Sequence, residues 1–542
     1  MGTIHRKCDV VVVGSGGAGL SAALSASVLG SKVLILEKAD VFGGTTALSG
    51  SGTWIPRHHH QSTMGVHDSR EDVLTYLRSA GPDGWHNSEA PRWDAFVDHA
   101  PKMLKFLESH TPLRFAPSRE PDPYAEAPGG KDFGRMVSPR PLSPSILGPL
   151  GKKLRGPQYT PWLNYEEVLD TGLYATPKRW LLRYAPRILY RIATNKRVMG
   201  NALVIGLLKG CLDNNCELWT GVQAQRLIQK EGRITGVVVK RAMQTLEIEA
   251  EKGVVLASGG FEWNPEMMAR YFPNYPVEWT GSPSTNTGDG QRMAQAVGAR
   301  LDRMDQALIY GTTPEMYEGN VRGVPSGDYV LPHSMIVGHH GKRFMNEKQT
   351  NIGLALLKRD DTTGRPAHLP AWRIFDAQYA AKYPHALPKG TFEGTRFSDR
   401  TLAGLARQIG LEPETLVATA KRFSEFARTG VDEDFGRGST IWDRTRAIDA
   451  RQKPNPALGT VEVPPFYAMP FKPSFLGTKG GPRTNPKGQV VTEEEVVIPG
   501  LYAAGNVMAN PFGTKGMGGG TTIGPVMTWG YICGLNVHDE VR

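Results

Sequence analysis

Cys8-Asp9-Val10-Val11-Val12-Val13-Gly14-Ser15-Gly16-Gly17-Ala18-Gly19 is a strand that runs straight into a glycine turn. Four consecutive valines are too apolar for a surface and predict a buried parallel strand. Small and apolar residues at helical spacing follow over 20–29, then a second apolar run over 32–36 that ends at Glu37. Strand, glycine turn, helix, strand and acid, in that order, predict a dinucleotide-binding unit. Gly14 makes the tight turn, Gly16 lets backbone approach a pyrophosphate, and Gly19 brings the helix close to the strand. Gly17 and Ala18 open the helix, whose free N–H groups and positive dipole end suit phosphates. Glu37 follows at about the 20-residue distance at which an acid accepts from a ribose. A GxGxxG turn alone is a weak signal. Here every flanking part is present.

Two or three lobes are expected for 542 residues. Cys8, Cys211, Cys216 and Cys533 have neither metal spacing nor the pattern of a disulfide framework. They read as free thiols of a reducing, cytoplasmic compartment. No signal-peptide core or long apolar run is present, so neither a secretory leader nor a spanning helix is expected. The formal charge is +10, but the basic residues are scattered and carry no nucleic-acid motif, so no nucleic-acid partner is expected. His58-His59-His60 lacks further ligands at a defined spacing, so no metal site is expected.

After Glu37 the chain reads Lys38-Ala39-Asp40-Val41-Phe42-Gly43-Gly44-Thr45-Thr46-Ala47-Leu48-Ser49-Gly50-Ser51-Gly52-Thr53-Trp54. Hydroxyls and glycine spacers let amides crowd against a long anionic cofactor. This stretch resembles the FAD-binding segment of the fumarate reductase and 3-ketosteroid dehydrogenase flavoproteins. The resemblance implies that Lys38, Gly44, Thr45, Thr46, Ser49, Gly50 and Gly52 hold FAD. Similar family segments recur downstream. Val222 matches a position whose backbone meets the adenine, and 253–261, with Ala257, matches a second FAD strand. Asn286-Thr287-Gly288-Asp289-Gly290 places Asp289 near the flavin and at a helix start, where it suits capping. Leu501-Tyr502-Ala503-Ala504-Gly505-Asn506 matches the closing FAD strand. In the tail, Thr522 and Ile523 start the last helix. The implied class is α/β: a Rossmann-type FAD-binding domain over 1–307 and 461–542, with an α+β catalytic domain inserted at 308–460.

Between these landmarks, 68–79 and 90–110 read as amphipathic helices. Residues 111–175 are rich in Pro and Gly, and their aromatics favour an ordered covering loop. Over 178–197, Arg179, Arg183, Arg187 and Arg191 form one helical stripe beside Trp180, Leu181, Leu182, Leu189 and Tyr190, with a kink expected at Pro186. This is either a surface helix packed on the core or a basic amphipathic helix in peripheral contact with a membrane.

The chemistry comes from the resemblance, which is strongest to the 3-ketosteroid dehydrogenases. It implies desaturation of a cyclic ketone at the carbons α and β to the carbonyl. Two donors polarise the ketone oxygen, a base takes the α proton, flavin N5 accepts a hydride, and an external acceptor removes the electrons. The family tail motif Tyr-x-Gly-x-Gly corresponds to Gly516-Met517-Gly518-Gly519-Gly520, so Gly520 keeps its N–H donor while the tyrosine is gone. A second family tyrosine follows Arg-Tyr-x-Asn-Glu; after Arg343-Phe344-Met345-Asn346-Glu347 the matching position is Asn351. A third lies in a Pro-Asp-Tyr turn, matched by Pro121-Asp122-Pro123-Tyr124 with a one-residue shift. The candidates for ketone chemistry are therefore Gly520, Tyr124, Asn351, and the loop tyrosines Tyr159 and Tyr165. A site rebuilt this way suits a small hydrophobic cyclic ketone of cyclohexanone type as well as a 3-ketosteroid. A fumarate-reductase-like enzyme would need Arg and His clamps, where the tail offers Thr514 and Lys515.

Overall fold

The computed structural model describes residues 4–157, 162–170, 172–325, 327–384, 396–446 and 448–540. The valine run is the middle of its largest sheet. Ile4–Val13 pairs in parallel with Val33–Glu37 on one side and Gln244–Leu256 on the other. Val10, Val11 and Val12 have no exposed surface. The strand starts at Ile4, before the expected Cys8, because the register with Gln244–Leu256 runs back to Leu246. Glu217–Thr220 extends the sheet beyond Val33–Glu37. On the opposite side Val497–Ala503 returns parallel to Gln244–Leu256. This is the Rossmann-type arrangement, closed by the C-terminal segment.

Helices Gly17–Val28 and Ile523–His538 lie against each other beside this sheet. Their contact needs small residues: a Cβ on Gly530 would lie 2.3 Å from the Ala18 carbonyl oxygen, and one on Gly534 2.4 Å from that of Ala22. All four cysteines are buried free thiols.

A second lobe is built on two antiparallel sheets. Ala307–Tyr317 pairs with Asn320–Pro325 and Pro473–Thr478. Ser334–Val337, Ala371–Asp376, Phe466–Phe471 and Phe397–Asp399 make the other sheet, with helices Leu402–Gln408 and Pro413–Thr429 sharing its core. Two of these strands lie beyond 460, so the lobe's pairing continues to Thr478. Residues 341–347, which follow Ser334–Val337, form no strand. Arg343 is instead held by Glu347 and Asp432, both at 2.8 Å, and all three side chains are buried.

The Pro- and Gly-rich stretch is ordered where described. Phe115–Pro117 and Met136–Pro139 form a small sheet with Thr53–Trp54 of the flavin segment. Helix Tyr165–Leu169 follows. Tyr159 lies outside the described residues. Helix Pro177–Ala193 continues through Pro186. Its arginine stripe is interrupted, because Arg191 turns inward to Glu167 at 2.5 Å while Arg179, Arg183 and Arg187 stay exposed.

Candidate active site

The glycine turn, the flavin segment and the C-terminal tail line one cavity of about 540 Å³, together with residues of the second lobe. The glycines are sterically required. Gly14 has φ +115°, and a Cβ there would lie 2.3 Å from the Ala257 carbonyl oxygen. A Cβ on Gly19 would lie 1.9 Å from the Gly14 carbonyl oxygen. Gly19 thus serves packing and does not line the cavity. The other residues expected to bind cofactor do line it, from Gly14 and Glu37 through Thr45, Thr46, Val222 and Asp289 to Asn506 and Ile523.

Their hydrogen bonds build the cradle. The Glu37 carboxylate accepts from Ser15 Oγ at 2.5 Å, from the Ser15 amide at 3.2 Å and from the Ala39 amide at 2.9 Å. Thr46 Oγ1 accepts from the Gly17 amide at 2.9 Å, tying the flavin segment to the glycine turn. Asp289 is the first residue of helix Asp289–Ala296, and Gly288 occupies the cap. Asp289 accepts from Lys38 Nζ at 2.9 Å and Arg292 at 2.6 Å. Burial pushes its carboxyl upward, but these hydrogen bonds and charges outweigh burial and hold it below the usual range.

Three buried cavity-lining polar atoms, Ser51 Oγ, Ser258 Oγ and Asn506 Oδ1, find no partner among the described residues. Buried polar atoms are rarely left unmatched. Phosphates, ribityl hydroxyls and ring carbonyls of FAD are groups they would satisfy.

The tail carries the next feature. No described residue accepts a hydrogen bond from the amides of Gly518, Gly519 or Gly520. Gly520 has φ +94°, and its carbonyl accepts from the Gly524 amide at 3.0 Å. A Cβ on Gly520 would lie 1.9 Å from the Gly52 carbonyl oxygen. Tyr165 closes the same wall. Its ring lies against Gly50 and Gly52, and a Cβ on Gly519 would lie 2.9 Å from its hydroxyl oxygen. The tail therefore has a tyrosine hydroxyl beside it, although the position at which the resemblance implies a tail tyrosine is Gly516.

The other expected residues are placed differently. Tyr124 does not line the cavity. It packs against the main core with Lys515 Nζ 5.4 Å from its ring centre, and burial with the nearby Asp83 charge pushes its hydroxyl up to about 12. Asn351 lines the cavity, but its amide is committed to backbone: it donates to Thr514 and accepts from Gly353 at 2.9 Å. His59 and His60 both hold Glu108, at 2.8 and 3.1 Å, and do not line the cavity.

Several cavity groups escaped the sequence reading. Tyr310, Tyr329, Lys348 and Arg446 line the wall, and Glu120 lies behind it. Lys348 donates to the Arg446 carbonyl, and burial, aided by Arg437, lowers its amine to about 7. Glu120 sits in the Pro-rich loop and Arg446 just past helix Ile441–Thr445, and neither carries a motif or a period that could have revealed it.

Residues 9–523 match the family described as "FAD binding domain". A 3-oxosteroid 1-dehydrogenase of Mycobacterium tuberculosis is 37% identical, with 99% of each chain covered. A 4-oxocyclohexanecarboxylate 2-dehydrogenase of Sinomonas cyclohexanicum is 33% identical over 100% of this chain and 94% of its own. The chain belongs to this family of FAD-dependent ketone dehydrogenases. A crystal structure of 3-ketosteroid delta1-dehydrogenase from Sterolibacterium denitrificans, in complex with 1,4-androstadiene-3,17-dione, superposes with a TM-score of 0.89. It is 33% identical and covers 99% of this chain and 100% of its own. This ketone dehydrogenase thus uses FAD as an oxidoreductase acting on a CH–CH group next to a carbonyl. A flavocytochrome c3 fumarate reductase, at TM-score 0.62 and 21% identity, shares the fold.

Proposed function

We propose that the enzyme desaturates a cyclohexanone-type ring, with its ketone oxygen held by the Gly520 N–H and its α carbon facing the Tyr165 hydroxyl. The observation that carries this is the free amide run 518–520 with the Tyr165 hydroxyl beside it, in the cavity that also holds the FAD-binding residues. Donors fixed before the reaction stabilise charge developing on an oxygen, and one such donor is typically worth ~10²–10³ in rate. The wall favours a small polar ring over a steroid, since Lys348, Gln349, Thr350 and Arg446 line it among the apolar groups. The relative that acts on 4-oxocyclohexanecarboxylate supports the same choice.

The residues that would hold FAD are those of the glycine turn, Glu37, the flavin segment and the tail. When bound, FAD supplies the two-electron acceptor for the β-carbon hydride. The chain's own part is to orient the ring, polarise the carbonyl and remove the α proton. An external acceptor then takes the electrons.

The test is anaerobic titration of the oxidised holoenzyme with 4-oxocyclohexanecarboxylate and with 4-androstene-3,17-dione. Loss of the oxidised-flavin absorbance with the small ketone at lower concentration supports the proposal. Loss with the steroid alone would replace the small ring by a steroid.

A second part of the reading concerns location. The chain is placed in the cytoplasm, in peripheral contact with anionic membrane through 178–197. Leu181, Leu182, Leu189 and Ile192 are exposed on helix Pro177–Ala193, among the exposed Arg179, Arg183 and Arg187. Among the described residues no helix is long and apolar enough to cross a membrane.

A further inference from the structure

We propose that Glu120 is the proton acceptor of a relay in which Tyr165 takes the substrate's α proton while passing its own to Glu120, with Arg446 positioning both. The proposal rests on the ketone-dehydrogenase reading and deepens it. Three chain segments converge here. Tyr165 Oη donates to Glu120 Oε2 at 3.0 Å. Arg446 Nη1 pairs with Glu120 Oε1 at 3.0 Å, and Arg446 Nη2 lies 3.4 Å from Tyr165 Oη. The Glu120 side chain is 2% exposed, so water has little access to its carboxylate. Arg446 is pinned from two sides, by its stacking 4.8 Å from the Trp442 ring centre and by Lys348 on its carbonyl.

The chemistry needs this second acceptor. Burial pushes the Tyr165 hydroxyl well above its ordinary value; Arg446 opposes that, while Glu120 and Tyr310 add to it. A standing phenolate base is therefore disfavoured, and a tyrosine in such a place works by handing its proton on in the same step. Glu120 is the carboxylate within reach.

The balance is complete. The α C–H bond breaks and its proton bonds to Tyr165 Oη, as the Tyr165 O–H bond breaks and that proton bonds to Glu120. The C–H electron pair moves into the enolate, whose oxygen takes the negative charge that left Glu120. Arg446 keeps its charge throughout, so the net charge of cluster and substrate together is unchanged by the proton transfer. The β hydride then leaves with its pair to FAD, the oxidant that the established activity supplies.

The relay requires ionised Glu120. Burial raises the Glu120 carboxyl above its ordinary value, against the opposing Arg446 charge and Tyr165 hydrogen bond. The reduction rate should therefore rise with pH as Glu120 ionises, above the usual glutamate range. Tyr310 and Tyr329 also face Arg446, and Lys348, whose amine is lowered to about 7, donates to the Arg446 carbonyl; Glu120→Gln keeps Lys348, so a limb that it removes belongs to Glu120.

The experiment is stopped-flow reduction of FAD holoenzyme by 4-oxocyclohexanecarboxylate across pH, in wild type, Glu120→Gln, Glu120→Asp and Tyr165→Phe. Glu120→Gln should keep the flavin spectrum and lose ~10²-fold or more in reduction rate. Its acidic limb should vanish, while Glu120→Asp restores part of the rate and retains a limb. Tyr165→Phe leaves the Glu120–Arg446 pair in place, so it decides the matter if Glu120→Gln does not fold; it should lose rate to the same degree. A wild-type rate and pH profile in Glu120→Gln, or a wild-type rate in Tyr165→Phe, would overturn the relay alone. Absence of reduction in wild type by any ketone would overturn the activity itself.

Discussion

At the residue scale, Glu37 carries the clearest cofactor prediction. Its carboxylate organises Ser15 and Ala39 and lines the cavity. Glu37→Ala should weaken FAD binding by roughly 10- to 100-fold, from loss of charge-assisted hydrogen bonds of about 1.5–3 kcal/mol. Fluorescence titration of apoprotein with FAD measures this, and unchanged affinity would remove Glu37 from the site. Tyr124→Phe should reduce flavin at close to the wild-type rate, because Tyr124 lies off the cavity. A large rate loss in that variant would return Tyr124 to the chemistry. Gly520→Val is a poor probe of the ketone alone: the new carbon meets the Gly52 carbonyl oxygen, so FAD binding should fall with it. Glu37 was legible in the sequence because its job depends on local order along a strand. Glu120 and Arg446 were not, because their meaning arises only when distant loops meet.

At the scale of elements, Arg343 anchors the second lobe between Glu347 and Asp432. Burial raises both carboxyls, yet the contacts with Arg343, aided by Arg437, outweigh it and hold them below the ordinary range. Their folded values are depressed, so this stabilisation is full above the ordinary carboxylate range and is lost as pH falls through the lowered values. Arg343→Met leaves two buried carboxylates with, among the described residues, Arg437 alone nearby, 3.4 Å from Glu347, and should cost about 3–5 kcal/mol. Thermal denaturation at neutral pH measures that loss, and an unchanged melting temperature would contradict it. The helix Pro177–Ala193 gives a separate prediction. The wild-type protein should bind anionic vesicles at low salt and release at 1 M salt, where screening shortens to ~3 Å. Leu182→Glu should weaken that binding, and no binding at low salt would leave a plain surface helix. The sequence foresaw this helix from its spacing but placed Arg191 on the basic stripe. Only the tertiary partner Glu167 shows why Arg191 turns inward.

For the whole molecule, residues of both lobes and of the loop around Tyr165 enclose one site for FAD and a cyclic ketone. The FAD lobe was readable because each of its motifs is a strand followed by a glycine turn, a local pattern with a local cause. The boundary at 460 was less so, because Phe466–Phe471 and Pro473–Thr478 pair with strands about 90 to 170 residues earlier, a register no local pattern encodes. The most direct measurement is the product of a single anaerobic turnover. Holoenzyme mixed with a cyclic ketone should lose its oxidised-flavin absorbance and yield one equivalent of the α,β-unsaturated ketone. An oxidised flavin that no cyclic ketone bleaches, in an enzyme whose reduced form is reoxidised by fumarate, would rule out a ketone dehydrogenase.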